Sequence, residues 1–361
     1  MQVSRIPKTT SHFVNINNQH SSNPQQSLIK ANFKQILSYN IHGLNTLINL
    51  PSEYLEIILD CEVIILTESW ATSEEDYRMQ QLMNLVPTFE VHLNPAKKSE
   101  RGRSSGGIIV MLKKKEFKIL NVIEQTQWYT TVEIEGRNSR QKVIIIAVYL
   151  NDSFQKREME AFKVHIDNIQ LVYPAELIIC TGDFNARIGL LDQFEADILP
   201  NARWSDERKS RDKATNERGK KIHAFFETSG FLVLNGRSRS DEDGDLTFLS
   251  KSIQSETKLC GSVIDLCFVN LACIDQVHDF QVLETSGSDH FPIKITLGDL
   301  RTSSKFTLKK KLKWNPNLEE LYQEKVNLSL QGSPEQDRPL SHIINQVAQE
   351  LKLVSRGIPM G

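Results

Sequence analysis

No stretch of this 361-residue sequence is apolar for long enough to cross a bilayer, which takes about 20 residues. The N-terminus lacks the apolar stretch of a secretory signal, so no export is expected. Cysteine is sparse: the five residues at 61, 180, 260, 267 and 273 include no CxxC pair that would suggest zinc. A reduced intracellular protein with core thiols is the expectation. No GxxxxGK loop is present, which removes support for nucleoside-triphosphate hydrolysis of the P-loop kind. Net charge is only −2, so the chain as a whole has no strong field to steer partners. What remains is ordinary globular composition, 39% hydrophobic and 24% charged, on a chain long enough to bury an ample core.

The near-neutral sum averages unlike segments. Residues 1–35 contain no Asp or Glu and are rich in Ser, Asn and Gln, a composition that cannot offset its ordering entropy. A disordered tail is expected there. Near the other end, "KFTLKKKLKW" (Lys305 to Trp314) packs five lysines into ten residues, reading as a solvated linker or a phosphate-facing patch. The stretches at 317–330 and 340–354 have helical character. One domain is therefore expected over 36–298, followed by a basic linker and C-terminal helices over 299–361.

Within that domain, short apolar runs bounded by polar residues predict strands at 35–41, 62–69, 106–112, 117–123, 128–136, 142–150 and 176–182. Those from 106 to 150 follow one another with no room for helices, which suggests an antiparallel series. Helical spacing predicts helices at 52–60, 73–86, 154–173 and 216–230, the last stopped by Gly230. More strands are expected at 231–235, 245–250, 262–270, 277–284 and 292–297. Two strand blocks, each with one or two helices, imply two sheets packed face to face with helices outside.

Polar residues capable of chemistry recur at the ends of these runs. Asn40 and His42 follow the first, Glu68 the second, Tyr149 and Asn151 the long apolar strand, and Asp183 and Asn185 the run "IICTGDFN". Asp265 lies in "SVIDLCF", and Ser288, Asp289 and His290 precede the last strand. Any one of these could be a cap or turn residue; Glu68 alone could cap the following turn. Together they suit a cleft along one sheet edge. Carboxylates without a Cys/His cage are hard oxygen ligands that suit Mg²⁺, with Mn²⁺ as an alternative. Glu68 is the best candidate ligand and Asp289 the natural second acid. An acid on one ring nitrogen would support a cationic His290 facing a phosphoryl oxygen, while Asp183 orients or deprotonates water. Asn40, Tyr149 and Asn185 would donate hydrogen bonds to phosphate. His42, His165, His223 and His278 read as surface or packing residues.

In this order, "YNIHGL", "LTESW", "AVYL", "TGDFNARIG", "SVIDLCF" and "GSDHFPI" resemble the endonuclease/exonuclease/phosphatase superfamily over about residues 36–298. "RKSRDKATNERGKKI", "LVLNGR" and "GDLTF" look like the endonuclease domain of LINE-type non-LTR retrotransposons. Such proteins continue into a reverse transcriptase, a part absent from these 361 residues. The resemblance implies a four-layered α/β sandwich and divalent-metal-dependent hydrolysis of phosphate esters, here the nicking of DNA to leave a 3′-hydroxyl. Carried over by position, it implies Glu68 as metal ligand with Asn40 beside it, and Tyr149 on phosphate. Asp183 and Asn185 fall on the water-orienting pair, Asp265 on the acid supporting the histidine, and Ser288, Asp289 and His290 on the SDH triplet. Thr247 and Ser288 fall on the substrate side, Thr247 as a cleft-lining residue. His42 departs from the pattern, since relatives carry Asp or Asn there. The expected partner is DNA, with no membrane and no protein partner implied, and the expected location is intracellular, nuclear when acting on DNA. Basic loops at 97–107 and 205–213 would meet backbone phosphates, unless they are solvated loops. A phosphatase or phosphodiesterase acting on a small ester, and a non-enzymatic binding domain, are the alternatives.

Overall fold

Side chains alternate across a strand, and here both faces of the long strands are apolar, so each sheet is covered on both sides. The computed structural model describes residues 34–98, 102–193, 199, 203–249, 261–284 and 287–298. It also describes strands at 308–312 and 354–359 and helical residues at 321 and 323–325. The chain runs β1 (Lys34–Asn40), α1 (Leu44–Ile48), α2 (Ser52–Leu59), β2 (Val63–Thr67), α3 (Tyr77–Leu85), β3 (Phe89–Asn94) and β4 (Ile108–Lys113). It continues through β5 (Phe117–Gln125), β6 (Tyr129–Gly136), β7 (Lys142–Tyr149), α4 (Lys156–Val172), β8 (Leu177–Asp183), α5 (Glu217–Thr228) and β9 (Phe231–Val233). Then follow β10 (Phe248–Leu249), β11 (Gly261–Ser262), β12 (Asp265–Asn270), β13 (Val277–Val282), β14 (Ile293–Leu297), β15 (Leu308–Leu312) and β16 (Val354–Pro359).

Two six-stranded sheets result, with orders β13-β14-β1-β2-β4-β3 and β5-β6-β7-β8-β12-β9. Each is mixed: β1 runs parallel to β2 and β7 parallel to β8, and the other pairs are antiparallel. The parallel pairs are joined through helices, as parallel neighbours require a crossover. Ile36, Val63, Ile65 and Val110 of the first sheet share a core with Val143, Ile145, Ile179 and Val269 of the second. The opposite face of the first sheet packs Leu37, Leu66 and Met111 against Leu44, Leu47, Ile58 and Leu82 of the helices. On the second, Ile144, Ile146 and Phe268 meet Phe162 and Ile166 of α4 and Phe226 of α5. Phe226 stacks on Phe268, with ring centroids 4.1 Å apart. The architecture is a four-layered α/β sandwich.

Several expectations are corrected. The series from 106 to 150 is not one meander, because β4 pairs with β2 and β3 in the first sheet while β5, β6 and β7 belong to the second. β3 went unread although Phe89, Val91 and Leu93 alternate with Glu90, His92 and Asn94. The strand expected at 262–270 is broken between β11, which pairs with β10, and β12, which pairs with β8. Lys34, placed in the tail, opens β1 one residue before the predicted strand; the rest of that tail before it lies outside the described residues. β15, inside the supposed basic linker, pairs antiparallel with β16, which begins at Val354 where a helix was expected. Residues 340–353 lie outside the described residues.

Gly182 is not a turn residue but lies within β8, at φ +143, beside Val148 of β7. A Cβ there would sit 2.0 Å from the Val148 carbonyl oxygen. The missing side chain lets the two strands stay in register up to Tyr149 and Asp183. Gly182→Ala is therefore expected to lower unfolding free energy by roughly 3 kcal/mol, from overlap plus backbone strain. Urea denaturation measures this; an unchanged midpoint would mean the strands separate at no cost.

The four described cysteines, Cys61, Cys180, Cys267 and Cys273, are buried and unbonded. Burial pushes the Cys61 thiol up to about 12 and that of Cys273 to about 11, so neither is a ready nucleophile. Among the described residues, no helix is long and apolar enough to cross a membrane.

Candidate active site

The inner, core-facing rows of both sheets turn polar at one edge. Along β1 the row runs Ile36, Ser38, Asn40; along β7 it runs Val143, Ile145, Ala147, Tyr149; along β8 it runs Leu177, Ile179, Thr181, Asp183. Antiparallel β12 enters at that edge with Asp265, opposite Asp183. Glu68 follows β2, and Ser288 to His290 lead into β14, the neighbour of β1. Period-two alternation thus carries groups from both sheets into one space.

Hydrogen bonds join them across the sandwich. Asn40 Nδ2 donates to Asp183 Oδ2 at 3.0 Å and to Glu68 Oε1 at 3.3 Å. The Tyr149 hydroxyl donates to Glu68 Oε1 at 2.7 Å. Burial, and then the Glu68 carboxylate, push the Tyr149 phenol above its ordinary value, so it stays a donor. Asp183 also accepts from Asn185 N at 2.8 Å and from Asn185 Nδ2 at 3.1 Å. Its carboxyl is raised to about 7, by burial first and then by the negative Asp265, against the lowering effect of His290. It stands ready to exchange a proton near neutrality.

His290 Nδ1 lies 2.8 Å from Asp265 Oδ2. Burial alone would lower the imidazole, but Asp265, Asp183 and Asp289 outweigh it and raise His290 to about 9. A cation results, with Asp265 on one nitrogen and Nε2 left to face a ligand. Ligand-type atoms of Asp183, Asp265 and His290 all lie within 4.8 Å of one another. That closeness belongs to a hydrogen-bonded acid–imidazole group: a protonated ring repels a metal ion. The better oxygen donor is Glu68, whose side chain is 14% exposed and whose Oε2 is turned away from Asn40 and Tyr149.

Two sequence-derived positions, Thr247 and Ser288, are used otherwise than expected. Thr247 is fully buried, and its hydroxyl accepts from the backbone N–H groups of Ile264 and Asp265, both at 3.0 Å. It cannot line a cleft; it fixes the turn that delivers Asp265. Ser288 donates to the Asn40 carbonyl at 2.8 Å and accepts from His290 N at 3.2 Å, tying the histidine segment to β1. Asp289 gives its backbone carbonyl to Leu249 N, and its charge acts on His290; no described bond joins it to Glu68 or Asn40.

The loop at 205–213 is corrected too. Arg208 is buried, donating to the carbonyls of Asn235 at 2.9 Å, Gly189 and Leu191. Arg211 pairs with Asp245 at 3.0 Å, and Lys209 with Glu242 at 3.4 Å. Arg208 is spent inside the protein, whereas Arg211 and Lys209, 56% and 49% exposed, form ion pairs at its surface. A basic run in sequence does not reveal whether its cations face water or carbonyl groups.

Conversely, His42 is at the site, with Nδ1 3.6 Å from Glu68 Oε2. Trp70 and Arg103 lie beside it: the His42 and Trp70 rings are 4.9 Å apart, and the Arg103 guanidinium is 4.1 Å from the indole centroid. His42, Glu68, Trp70 and Asn185 all have positive φ, between 46° and 57°. Such backbone is costly for these residue types and gathers where function holds it in place. His165 and His223 are buried in the helical layers, away from this group, and His278 is exposed.

No family model and no curated protein matches the chain. Among solved structures it is similar to the AP endonuclease LMAP from Leishmania major, with a TM-score of 0.54 and 13% identity, covering 74% of this chain and 88% of that one. The endonuclease domain of TRAS1, a telomere-specific non-LTR retrotransposon, gives a TM-score of 0.47 and 14% identity, covering 73% of this chain and 98% of that one. The chain shares the α/β-sandwich fold of the Leishmania enzyme.

Proposed function

We propose that the chain is a divalent-metal-dependent endonuclease that nicks DNA by hydrolysing a phosphodiester bond. The observation that carries this reading is the continuous hydrogen-bonded set Tyr149–Glu68–Asn40–Asp183–Asn185, with the Asp265–His290 pair against it at one sandwich edge. The fold shared with an AP endonuclease makes DNA the first substrate to test.

In this reading Asp183 takes the proton of the attacking water, its carboxylate held by Asn40 and Asn185. His290, kept cationic by Asp265, donates from Nε2 to a non-bridging phosphoryl oxygen as charge gathers there. Tyr149 fixes the Glu68 carboxylate. The oxygen side of the site around Glu68 suits Mg²⁺, or Mn²⁺ in its place. Glu68 and the Asn40 side-chain oxygen would hold the ion, with Asp289 as second acid. When bound it would neutralise charge on the phosphate.

Supercoiled-plasmid nicking tests this. Wild type should nick in Mg²⁺ and stop in EDTA, and Glu68→Gln should need about tenfold more Mg²⁺ for half-maximal rate. Nicking that persists in EDTA would remove the metal-dependent mechanism. Hydrolysis confined to small phosphate esters, with little response to salt, would favour the phosphatase alternative, since DNA binding weakens steeply as salt rises.

A further inference from the structure

Beside Glu68 lies a cation that the reaction outlined above leaves unused. Arg103 is exposed, and its described contacts are two aromatic rings. One is the Trp70 indole beneath it; the other is His42, whose Nε2 is 3.3 Å from Arg103 Nη1. Exposed arginines ordinarily keep most of their rotamer freedom, which is lost when a ligand binds. Here part of that ordering is done in advance by the platform. Trp70 is lodged against Gly43, where a Cβ would stand 2.5 Å from the indole ring. Its backbone N–H donates to Gly106 O at 3.0 Å. Gly106 in turn passes under the Tyr149 ring, and the Arg103 charge is felt at the Tyr149 hydroxyl. Lys97 and Ser105 exchange two backbone hydrogen bonds, of 2.9 and 3.1 Å, which close the ends of the segment carrying Arg103. The backbone that presents Glu68 therefore also presents this exposed guanidinium, on an aromatic surface.

We infer that Arg103, seated on Trp70, forms a second phosphate subsite that binds the phosphodiester flanking the one cleaved. A planar guanidinium on an indole face presents paired donors to phosphate oxygens and keeps its charge at any pH the protein meets. The Asp183–His290 group is the place for the reacting phosphate. A cation on the far side of Glu68 suits its neighbour along the strand. This rests on the endonuclease reading.

The test compares wild type with Arg103→Ala, Arg103→Lys and Trp70→Phe in Mg²⁺, on an oligonucleotide and on a dinucleotide with a single phosphodiester. On the oligonucleotide, Arg103→Ala should raise KM about tenfold with kcat within about twofold. It should also reduce the slope of log(kcat/KM) against log[salt] by about 1. Arg103→Lys should recover the slope but not the full KM, and Trp70→Phe should fall between. On the dinucleotide, which lacks the flanking phosphate, the ratio of wild type to Arg103→Ala should shrink toward one. Thermal unfolding midpoints of the two Arg103 variants should match wild type, since a residue that merely pins its loop would move stability rather than the salt slope. Wild type that nicks, with Arg103→Ala showing the same KM and slope, overturns the subsite alone. An equal ratio on both substrates also overturns it, placing Arg103 on the reacting phosphate. Wild type with no action on DNA overturns the endonuclease reading and the subsite together.

Discussion

Asp183→Ala should lower the rate of plasmid nicking by about 10³-fold, within the range spanned by positioned general bases. The carboxylate is the hub of the site: Asn40, Asn185 and the Asn185 backbone all donate to it, and Asp265 and His290 lie against it. Asp183→Asn keeps the volume but not the proton acceptor, so its kcat should fall nearly as far with KM little changed. The same substitution should act on stability in the opposite sense. A carboxyl raised to about 7 from near 3.8 holds its proton in the folded chain over a pH range where the unfolded chain has lost it. Wild-type stability in EDTA should then decline as pH rises from about 4 to about 7, and Asp183→Asn should escape that decline. Parallel stability–pH curves for the two proteins would show that burial does not strain this acid. Nicking at wild-type rate by Asp183→Ala would discard the proposed mechanism.

His290→Ala should cost about 10²- to 10³-fold in kcat, the loss associated with one preorganised donor to a developing oxyanion. Asp265→Asn should cost nearly as much, because it removes the charge that keeps the ring cationic despite burial. The double variant should be little worse than either single one, as expected of residues acting as a unit. Fully multiplied losses would mean that the two act separately. The pair also makes its own contribution to stability. His290 is raised above 6.5 to about 9, so that contribution is complete below about pH 6.5 and is lost as pH rises through about 9. Urea midpoints of wild type and His290→Ala should converge over that interval. Asp183 and His290 thus bias stability in the same direction with pH, in adjoining windows.

The residue pattern alone established a great deal here. Runs such as "KVIIIAVY" and "LIICTGD" are buried on both faces and can only be interior strands. A polar residue that continues an inward row past the last apolar position has to emerge at the sheet edge. That is why Asn40, Tyr149 and Asp183 could be named from spacing. Positions set by strand partners were not readable in the same way. Nothing local shows that β4 leaves the meander for the first sheet, or that the 262–270 run breaks so that Asp265 can start β12 opposite Asp183.

Side-chain fates were hidden for a related reason. Arg208 and Arg103 both sit in basic loops, yet one is buried on carbonyl groups and the other lies open on an indole. Thr247 and His42 likewise exchanged their expected places, one buried under Asp265 and the other set beside Glu68. Alternation and hydrophobicity are properties of neighbouring residues, so the sequence by itself determined the layers and which residues end the inner rows. Contacts between residues far apart in the chain depend on how sheets and loops pack, so only the tertiary structure decided which of those residues share a hydrogen bond, a charge or an open face.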